Sequence, residues 1–199
     1  MEKTLSDLRR VTLAASDGTL GNVADLCFDD RSWTIRYLVV DVRSWFPDRW
    51  VLIPAISVGY RPAEPSILHS ALSRTQVKTS AEVHLPSQPH ALGHAIKDRA
   101  LAAGEAHLKV VTSVIGYGIQ TEDGKIGHVK DVLVDDKAWR IRYLLVDTTG
   151  RWTGQRVLVA PEWLIDVSED ESKTFFSIVT AVGDCPRNGR TRLRHGRVA

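Results

Sequence analysis

The chain has 199 residues, of which 43% are hydrophobic and 25% are charged, and its 26 Lys and Arg against 24 Asp and Glu give a formal net charge of +2. No segment reaches the roughly 18 consecutive apolar residues of a membrane-spanning helix, and the polar start MEKTLSDLRR lacks the apolar region of a secretory signal peptide. Two distant cysteines exclude a disulfide framework and a zinc ribbon, so we expect a folded cytoplasmic protein of one large or two small domains.

The sequence contains an internal repeat with a constant offset of 106 residues, the distance from Asp17 to Asp123. Residues 16–42 align with residues 122–148 without a gap, which predicts two similar modules. The identical pairs include Asp17/Asp123, Gly18/Gly124, Gly21/Gly127, Asp25/Asp131, Asp29/Asp135, Trp33/Trp139, Arg36/Arg142, Tyr37/Tyr143 and Asp41/Asp147.

Each module has the pattern of an antiparallel β-sheet. Asp17-Gly18 and its repeat favour a tight hairpin, because both residue types tolerate positive φ. Gly21 and Gly127 predict a bulge or a close backbone approach. The predicted strands cover residues 23–28, 33–42, 50–54 and 67–72 in the first copy, and 129–134, 139–148, 156–159 and 175–179 in the second.

The segment between the modules is different in character. Residues 73–80 predict a short helix with Ser73 as the N-cap. Beyond it, prolines and glycines interrupt a weak helical pattern, so residues 83–107 are predicted to be a linker, part of it helical. The predicted organisation is a first domain over 1–82, the linker over 83–107, a second domain over 108–186 and a tail over 187–199.

This order of residues resembles the PRC-barrel family. The pattern D-G-x-x-G-x-V-x-D is followed by D-D-x-x-W-x-I-R-Y-L-V-V-D and V-L-I-P, and Leu72 to Lys78 resembles the helix that closes such barrels. The resemblance implies an all-β protein with two tandem small antiparallel barrels, each closed by a short helix. It also implies an interaction module without a chemistry shared across the family, and the chain resembles bacterial proteins with two such barrels.

Repeated acidic and arginine residues are the first candidates for chemistry. A half-buried guanidinium needs a carboxylate partner, and a catalytic centre is rarely needed twice with the same supporting turns, so we interpret the set as structural ion pairs. These residues are Asp25, Arg36, Asp41, Asp131, Arg142 and Asp147.

Metal, nucleotide and nucleophile motifs are weak in this sequence. His84, His90 and His94 are close in the chain, but Pro86 and Pro89 exclude one helix through all three. Cys27 lies between Leu26 and Phe28 in a predicted strand, as a core residue would. We therefore expect no catalytic residue, no metal and no cofactor.

Aromatic residues in the strand connections are the better candidates for partner binding. Trp45 and Phe46 in the first copy correspond to the loop that carries Trp152 in the second. Large apolar groups in a loop need a reason, and two interpretations remain open: the rings pack between the modules, or they bind a partner, since Trp and Arg are frequent in hot spots.

The C-terminal tail contains five Arg and no acidic residue, which favours a disordered segment that attracts phosphate. Without an interleaved aromatic residue to stack on bases, binding to nucleic acid is less favoured. The candidate contacts are Arg187, Arg190, Arg192, Arg194 and Arg197.

Taken together, these patterns predict a non-enzymatic protein-interaction or scaffold module whose protein partner is unidentified, with self-association into a homo-oligomer left open. An RNA- or ribosome-associated factor that uses the Arg-rich tail is the alternative. A ligand binder or enzyme with a site between the barrels is the least favoured.

Overall fold

The computed structural model describes residues 2–46, 50–61, 64–80, 96, 104–105, 107–121, 124–148, 155–170 and 173–178. Most of these residues lie in β-strands, which confirms the all-β prediction at that level. The chain divides into two compact units: Met1–Ser113 with Val134–Ile141, and Val114–Leu133 with Arg142–Ala199.

The elements alternate long central strands with short ones. In chain order they are β1 (Glu2–Thr4), α1 (Leu5–Leu8), β2 (Thr12–Ala15), β3 (Gly18–Asp29), β4 (Thr34–Asp41), β5 (Trp50–Pro54), a 3₁₀ turn (Ala55–Ser57), β6 (Val58–Arg61), β7 (Glu64–Ser70), α2 (Arg74–Ser80), β8 (Leu108–Val110), α3 (Val111–Val114), β9 (Gly118–Thr121), β10 (Gly124–Asp135), β11 (Arg140–Thr148), β12 (Arg156–Val159), a 3₁₀ turn (Pro161–Trp163), β13 (Leu164–Asp170) and β14 (Lys173–Ile178).

The sheet of the first unit has the strand order β6-β7-β2-β3-β4-β5. β3 is long enough to pair with β2 through its first residues and with β8 through its last, where Cys27 lies opposite Val110. Its other edge pairs with β4. β3 is therefore the strand on which the rest of the unit is assembled.

One strand pair in each unit departs from the predicted antiparallel arrangement. β2 and β7 are parallel, with Thr12 opposite Ile67, and β14 and β9 are parallel, with Phe175 opposite Gly118. Parallel neighbours need a long connection, and here nearly the whole module lies between the two strands. This pairing joins the beginning of a module to its end. Hairpin signals in the sequence indicate antiparallel neighbours, so they do not predict it.

β4 is buried along both faces, as a central strand is. Leu38, Val39 and Val40 are fully buried although they point alternately to opposite faces. Such side chains each contribute roughly 1.5–3 kcal/mol by leaving water. On one face Val39 packs with Cys27, Trp50, Ile96, Leu108 and Val110 in a single cluster.

Backbone irregularities lie where the sequence places its glycines and its repeated arginine. The register of β3 against β2 shifts next to Gly21, and that of β10 against β9 shifts beside Gly127. Both predicted irregularities are confirmed. A further shift in β4 leaves Arg36 without an opposite residue on β3, since Cys27 pairs with Tyr37 and Phe28 with Ile35.

α2 begins at the predicted position and is capped as predicted. The Ser73 hydroxyl accepts the Gln76 amide at 3.1 Å, and the Gln76 side chain accepts the Ser73 amide at 2.8 Å, which is a reciprocal capping box. Asp17, in the turn between β2 and β3, accepts the Arg74 amide at 2.7 Å. The helix is thereby fixed to the β2–β3 hairpin.

The second unit repeats this plan with its own strands. Its order is β13-β14-β9-β10-β11, with β12 paired to β11 so that Leu144 lies opposite Val159. β10 has 12 residues, as does β3. The two strands begin at Gly18 and Gly124, which are equivalent positions of the two sequence copies.

The first compact unit also contains segments from the second copy of the repeat, namely residues 108–113 and 134–141. The Ile35 amide donates to the Trp139 carbonyl at 2.6 Å, and the Ile141 amide donates to the Trp33 carbonyl at 2.8 Å. Trp33 and Trp139 both adopt positive φ, at 56° and 48°. The two equivalent turns therefore meet symmetrically inside this unit. Most of the predicted linker lies outside the described residues, although Ile96 is buried within it.

Candidate interaction surface

The loop that follows β4 holds two aromatic rings in a fixed arrangement. The Trp45 and Phe46 amides both donate to the Val42 carbonyl, at 3.1 and 2.9 Å, which closes a turn. The indole Nε1 of Trp45 donates to the Leu20 carbonyl at 2.6 Å. The two rings stack with centroids 5.8 Å apart and planes inclined by 19°, and both side chains are only partly buried.

α2 places two cations beside these rings. Arg74 and Lys78 are four residues apart and so lie on one face of the helix. The Arg74 guanidinium lies 5.2 Å from the centroid of the Trp45 ring, and Lys78 Nζ lies 5.8 Å from that of Phe46. These distances permit cation–π attraction. Trp45, Phe46, Arg74 and Lys78 are called here the aromatic–cationic surface.

Arg74 is held in place by the backbone of β3. Its Nε donates to the Thr19 carbonyl at 2.8 Å, and Nη2 donates to the same oxygen. Three guanidinium atoms lie 3.2–3.3 Å from the point that a Cβ on Gly18 would occupy. A glycine at position 18 thus leaves the space that the arginine fills.

A shallow polar depression, lined by Gly21, Asn22, Asp41, Arg43 and Ser44, includes the start of the same loop. Within it Arg43 binds Asp41 in bidentate fashion, with Nη2–Oδ2 at 2.6 Å and Nε–Oδ1 at 2.9 Å. This hydrogen bonding lowers the pKa of the Asp41 carboxyl. Asp41 therefore carries a charge that its own neighbour balances.

Asp25 and Asp131, which the repeat placed among the structural ion pairs, hold backbone amides. Asp25 accepts the Leu26 amide at 2.8 Å, and Asp131 accepts the Val132 amide at 2.8 Å. Asp25 is buried and also accepts a hydrogen bond from the Thr112 hydroxyl. Burial raises the pKa of the Asp25 carboxyl, against the effect of these hydrogen bonds.

The repeated arginines lie apart from these two aspartates. Arg36 and Arg142 are exposed, and neither forms an ion pair with a carboxylate in the described part of the chain. The bulge in β4 is the physical reason at Arg36, because an unpaired strand residue is free to point outward. Asp147 has Arg156 as its partner, at 3.2 Å.

A second repeated pair was not identified from the sequence. Lys109 Nζ lies 2.9 Å from Asp30 Oδ2, and Lys3 Nζ lies 3.9 Å from Asp136 Oδ2, all within the first unit. Lys3 also donates to the Tyr60 hydroxyl at 2.7 Å. Both lysines and both aspartates are related by the offset of 106 residues, so the repeat carried the signal that could have revealed them.

Several predicted residues lie outside the described part of the chain. These are Trp152, the tail residues Arg187, Arg190, Arg192, Arg194 and Arg197, and the histidines His84, His90 and His94. Among the described residues, no group of three or more His, Cys, Asp and Glu side chains could hold a metal ion. Cys27 is fully buried, and burial raises the pKa of its thiol well above the usual value.

Comparison with protein families identifies one domain. Residues 110–175 match the PRC-barrel domain. The match includes Asp131, Arg142 and Asp147, and it covers the strands from β9 to β13. No curated protein matches the chain.

The PRC-barrel match supports the family resemblance for the second copy of the repeat. The aromatic–cationic surface lies in the first copy, outside the matched residues. No helix among the described residues combines the length and the apolar character needed to cross a membrane.

Arg74 and Lys78 were not among the predicted partner contacts. The signal that could have identified them was their spacing of four residues on a predicted helix without acidic residues.

Proposed function

We propose that this chain is a non-enzymatic, cytoplasmic protein-binding module built from two PRC-barrel domains, and that a partner protein binds at the aromatic–cationic surface. The observation that carries the proposal is the stacked Trp45–Phe46 pair, which a strand connection presents partly exposed between two cations.

A first PRC-barrel domain, in addition to the matched one, is supported by equivalence in detail. Gly21 approaches the Asp41 carbonyl as Gly127 approaches that of Asp147. β3 and β10 have equal length, and the turns after them share a tryptophan with positive φ. These residues are identical in the two copies and also have similar backbone conformations or contacts.

A binding role is supported by the types of side chain and by their order. Trp and Arg are the residues most enriched in binding hot spots. The hydrogen bonds of Trp45 to Leu20 and of Arg74 to Thr19 fix both side chains before a partner arrives. Preorganised groups lose less conformational entropy on binding, so more of the contact energy is retained.

The two aromatic residues have different uses in this proposal. Trp45 is tied to β3, so its removal would disturb the unit itself. Phe46 stacks on Trp45 beside Lys78, at a partly exposed position. Substitution of Phe46 is therefore the change that separates binding from folding.

Photo-cross-linking in the native cell tests the proposal. A photoreactive phenylalanine analogue replaces Phe46, and a matched variant carries it at Arg31, an exposed position in the turn after β3. We expect a discrete covalent adduct of the full chain with another protein from position 46 and none from position 31. Equal labelling from both positions, or none from position 46, would refute the proposal. An adduct of twice the chain mass would instead identify self-association.

A further inference from the structure

We infer that the aromatic–cationic surface recognises an acidic protein segment in which apolar side chains are flanked by Asp or Glu. This inference rests on the proposed function and adds the chemical class of the partner. It follows from the charges of Arg74 and Lys78, which no described carboxylate balances, and from the partly exposed apolar rings beside them.

Among the described residues, charge at the surface is positive after the carboxylates are counted. The described cations there are Arg43, Arg74 and Lys78, and the described acids are Asp17 and Asp41. Both acids are already engaged: Asp41 with Arg43, and Asp17 with the backbone amide at the start of α2. α2 has no acidic residue in its first turn and has Lys78 in its last. Within the described part of the chain, neither Arg74 nor Lys78 forms an ion pair with a carboxylate.

Arg74 retains donors for an incoming anion. A guanidinium carries five N–H donors. Nε and Nη2 are oriented by the Thr19 carbonyl, whereas Nη1 forms no hydrogen bond with any described residue. Because the group is fixed and partly desolvated by the Trp45 ring, a carboxylate can bind it without a large loss of side-chain freedom.

The ring arrangement favours a peptide over a nucleic acid. Bases bind single-strand proteins by stacking on free aromatic faces. Here the faces of Trp45 and Phe46 lie against each other, with Arg74 over the first ring and Lys78 over the second. The exposed part of the two rings is therefore apolar and lies next to positive charge, which suits an aliphatic side chain adjacent to a carboxylate.

The test measures binding of a fluorescein-labelled peptide of repeated Glu-Leu-Asp triplets to the full chain by fluorescence anisotropy. We expect binding that weakens as salt is raised. Arg74→Gln combined with Lys78→Gln should weaken it at least about tenfold. The matched control, Arg31→Gln with Lys137→Gln, removes the same charge from exposed positions outside the surface and should leave binding within about twofold.

Three further probes decide the class of partner. A Lys-Leu-Lys peptide should not bind, and a Glu-Ser-Asp peptide should bind more weakly than the Glu-Leu-Asp peptide. Single-stranded poly-U RNA, or vesicles containing phosphatidylserine, that bind more tightly than the peptide and lose binding in the Arg74/Lys78 variant would overturn the inference. Equal peptide binding by that variant and by the wild type would overturn it as well.

Failure of this inference can be distinguished from failure of the proposed function. If position 46 cross-links to a protein while the acidic peptide does not bind, the proposed function stands and the partner class is wrong. If neither occurs, both fail.

A folding control precedes the binding measurements. Melting temperatures of the Arg74/Lys78 variant and its control are compared first. If Arg74→Gln reduces folding, Lys78→Gln alone, at an exposed position, provides the binding readout.

Discussion

Gly21 lies directly against the backbone carbonyl of Asp41, so that a Cβ at position 21 would come within 1.8 Å of that oxygen. The equivalent Gly127 would bring a Cβ within 2.1 Å of the Asp147 carbonyl. No side-chain adjustment relieves such a contact, since the obstacle is backbone. The repeated glycine is thus a requirement of strand packing, at the edge of the polar depression beside the aromatic loop.

Gly21→Ala should therefore destabilise the first unit by about 2–4 kcal/mol, because the new methyl group displaces β3 from β4 and position 21 has φ of +154°. Urea unfolding followed by circular dichroism measures the change. Gly59→Ala is the matched control: a Cβ there meets nothing within 4 Å, so its stability should change by less than about 1 kcal/mol. Similar losses in both variants would contradict the role assigned to the Asp41 contact.

Trp45→Phe tests whether the indole nitrogen fixes the aromatic loop. The variant keeps an aromatic ring but leaves the Leu20 carbonyl without the 2.6 Å hydrogen bond, so we expect a loss of about 1–2 kcal/mol in unfolding free energy. Lys78→Gln, which removes the charge of an exposed side chain on the same surface, should cost less than about 0.5 kcal/mol. Equal stability of Trp45→Phe and the wild type would show that the hydrogen bond is not needed to hold the loop.

Local features of the fold followed well from the sequence. The strands Trp50–Pro54 and Arg156–Val159 and the N-cap at Ser73 each depend on residues near one another in the chain. Turn chemistry, capping and strand periodicity are local properties, and a repeat doubles the evidence for each of them.

Partner choice between equivalent segments did not follow from the sequence. β1 and β8 occupy the same position in the two copies, and three residues are too few for a periodic pattern. In a duplicated sequence, Leu108–Val110 matches the edge of β3 as well as Glu2–Thr4 would, so pattern alone does not assign the pairing. The same ambiguity applies to the aspartates, whose amide partners lie in the backbone and leave no signal in residue type.

Asp25 should make the first unit less stable as the pH rises. Its pKa in the folded state is raised above the ordinary value of an aspartate, mainly by burial. An acid with a raised folded-state pKa favours the folded state while it is protonated, and this advantage is lost as the pH rises through the folded-state pKa. Asp25→Asn, which is neutral throughout, should therefore gain stability relative to the wild type between pH 4 and pH 7.

Urea unfolding of the two proteins at several pH values measures this difference. Asp7 and Asp41, whose pKa values are lowered, contribute equally in both proteins, so their effects cancel in the comparison. Thr112→Val serves as a second variant: it removes a hydrogen bond that favours the ionised form, so the loss of stability with rising pH should be larger and extend to higher pH. A constant difference between Asp25→Asn and the wild type would contradict the assignment of a buried, titrating carboxyl.

β8 should protect the thiol of Cys27 from solvent. Leu108 and Val110 pack against Cys27 in one cluster, and Val110 is its direct partner across the strand pair. Leu108→Ala removes buried methyl groups and should cost about 2–4 kcal/mol. In a Cys185→Ser background, Cys27 is the remaining thiol. The logarithm of its rate of reaction with a disulfide reagent should rise in proportion to the lost stability, because the thiol reacts only when the cluster opens. Ile56→Ala is the control, because it removes an apolar side chain that is 96% exposed. It should leave both the thiol reaction rate and the unfolding free energy close to those of the wild type. An unchanged thiol rate in a destabilised Leu108→Ala protein would mean that Cys27 is covered by other residues, and that this short strand from the second copy of the repeat is not what closes the core of the first unit.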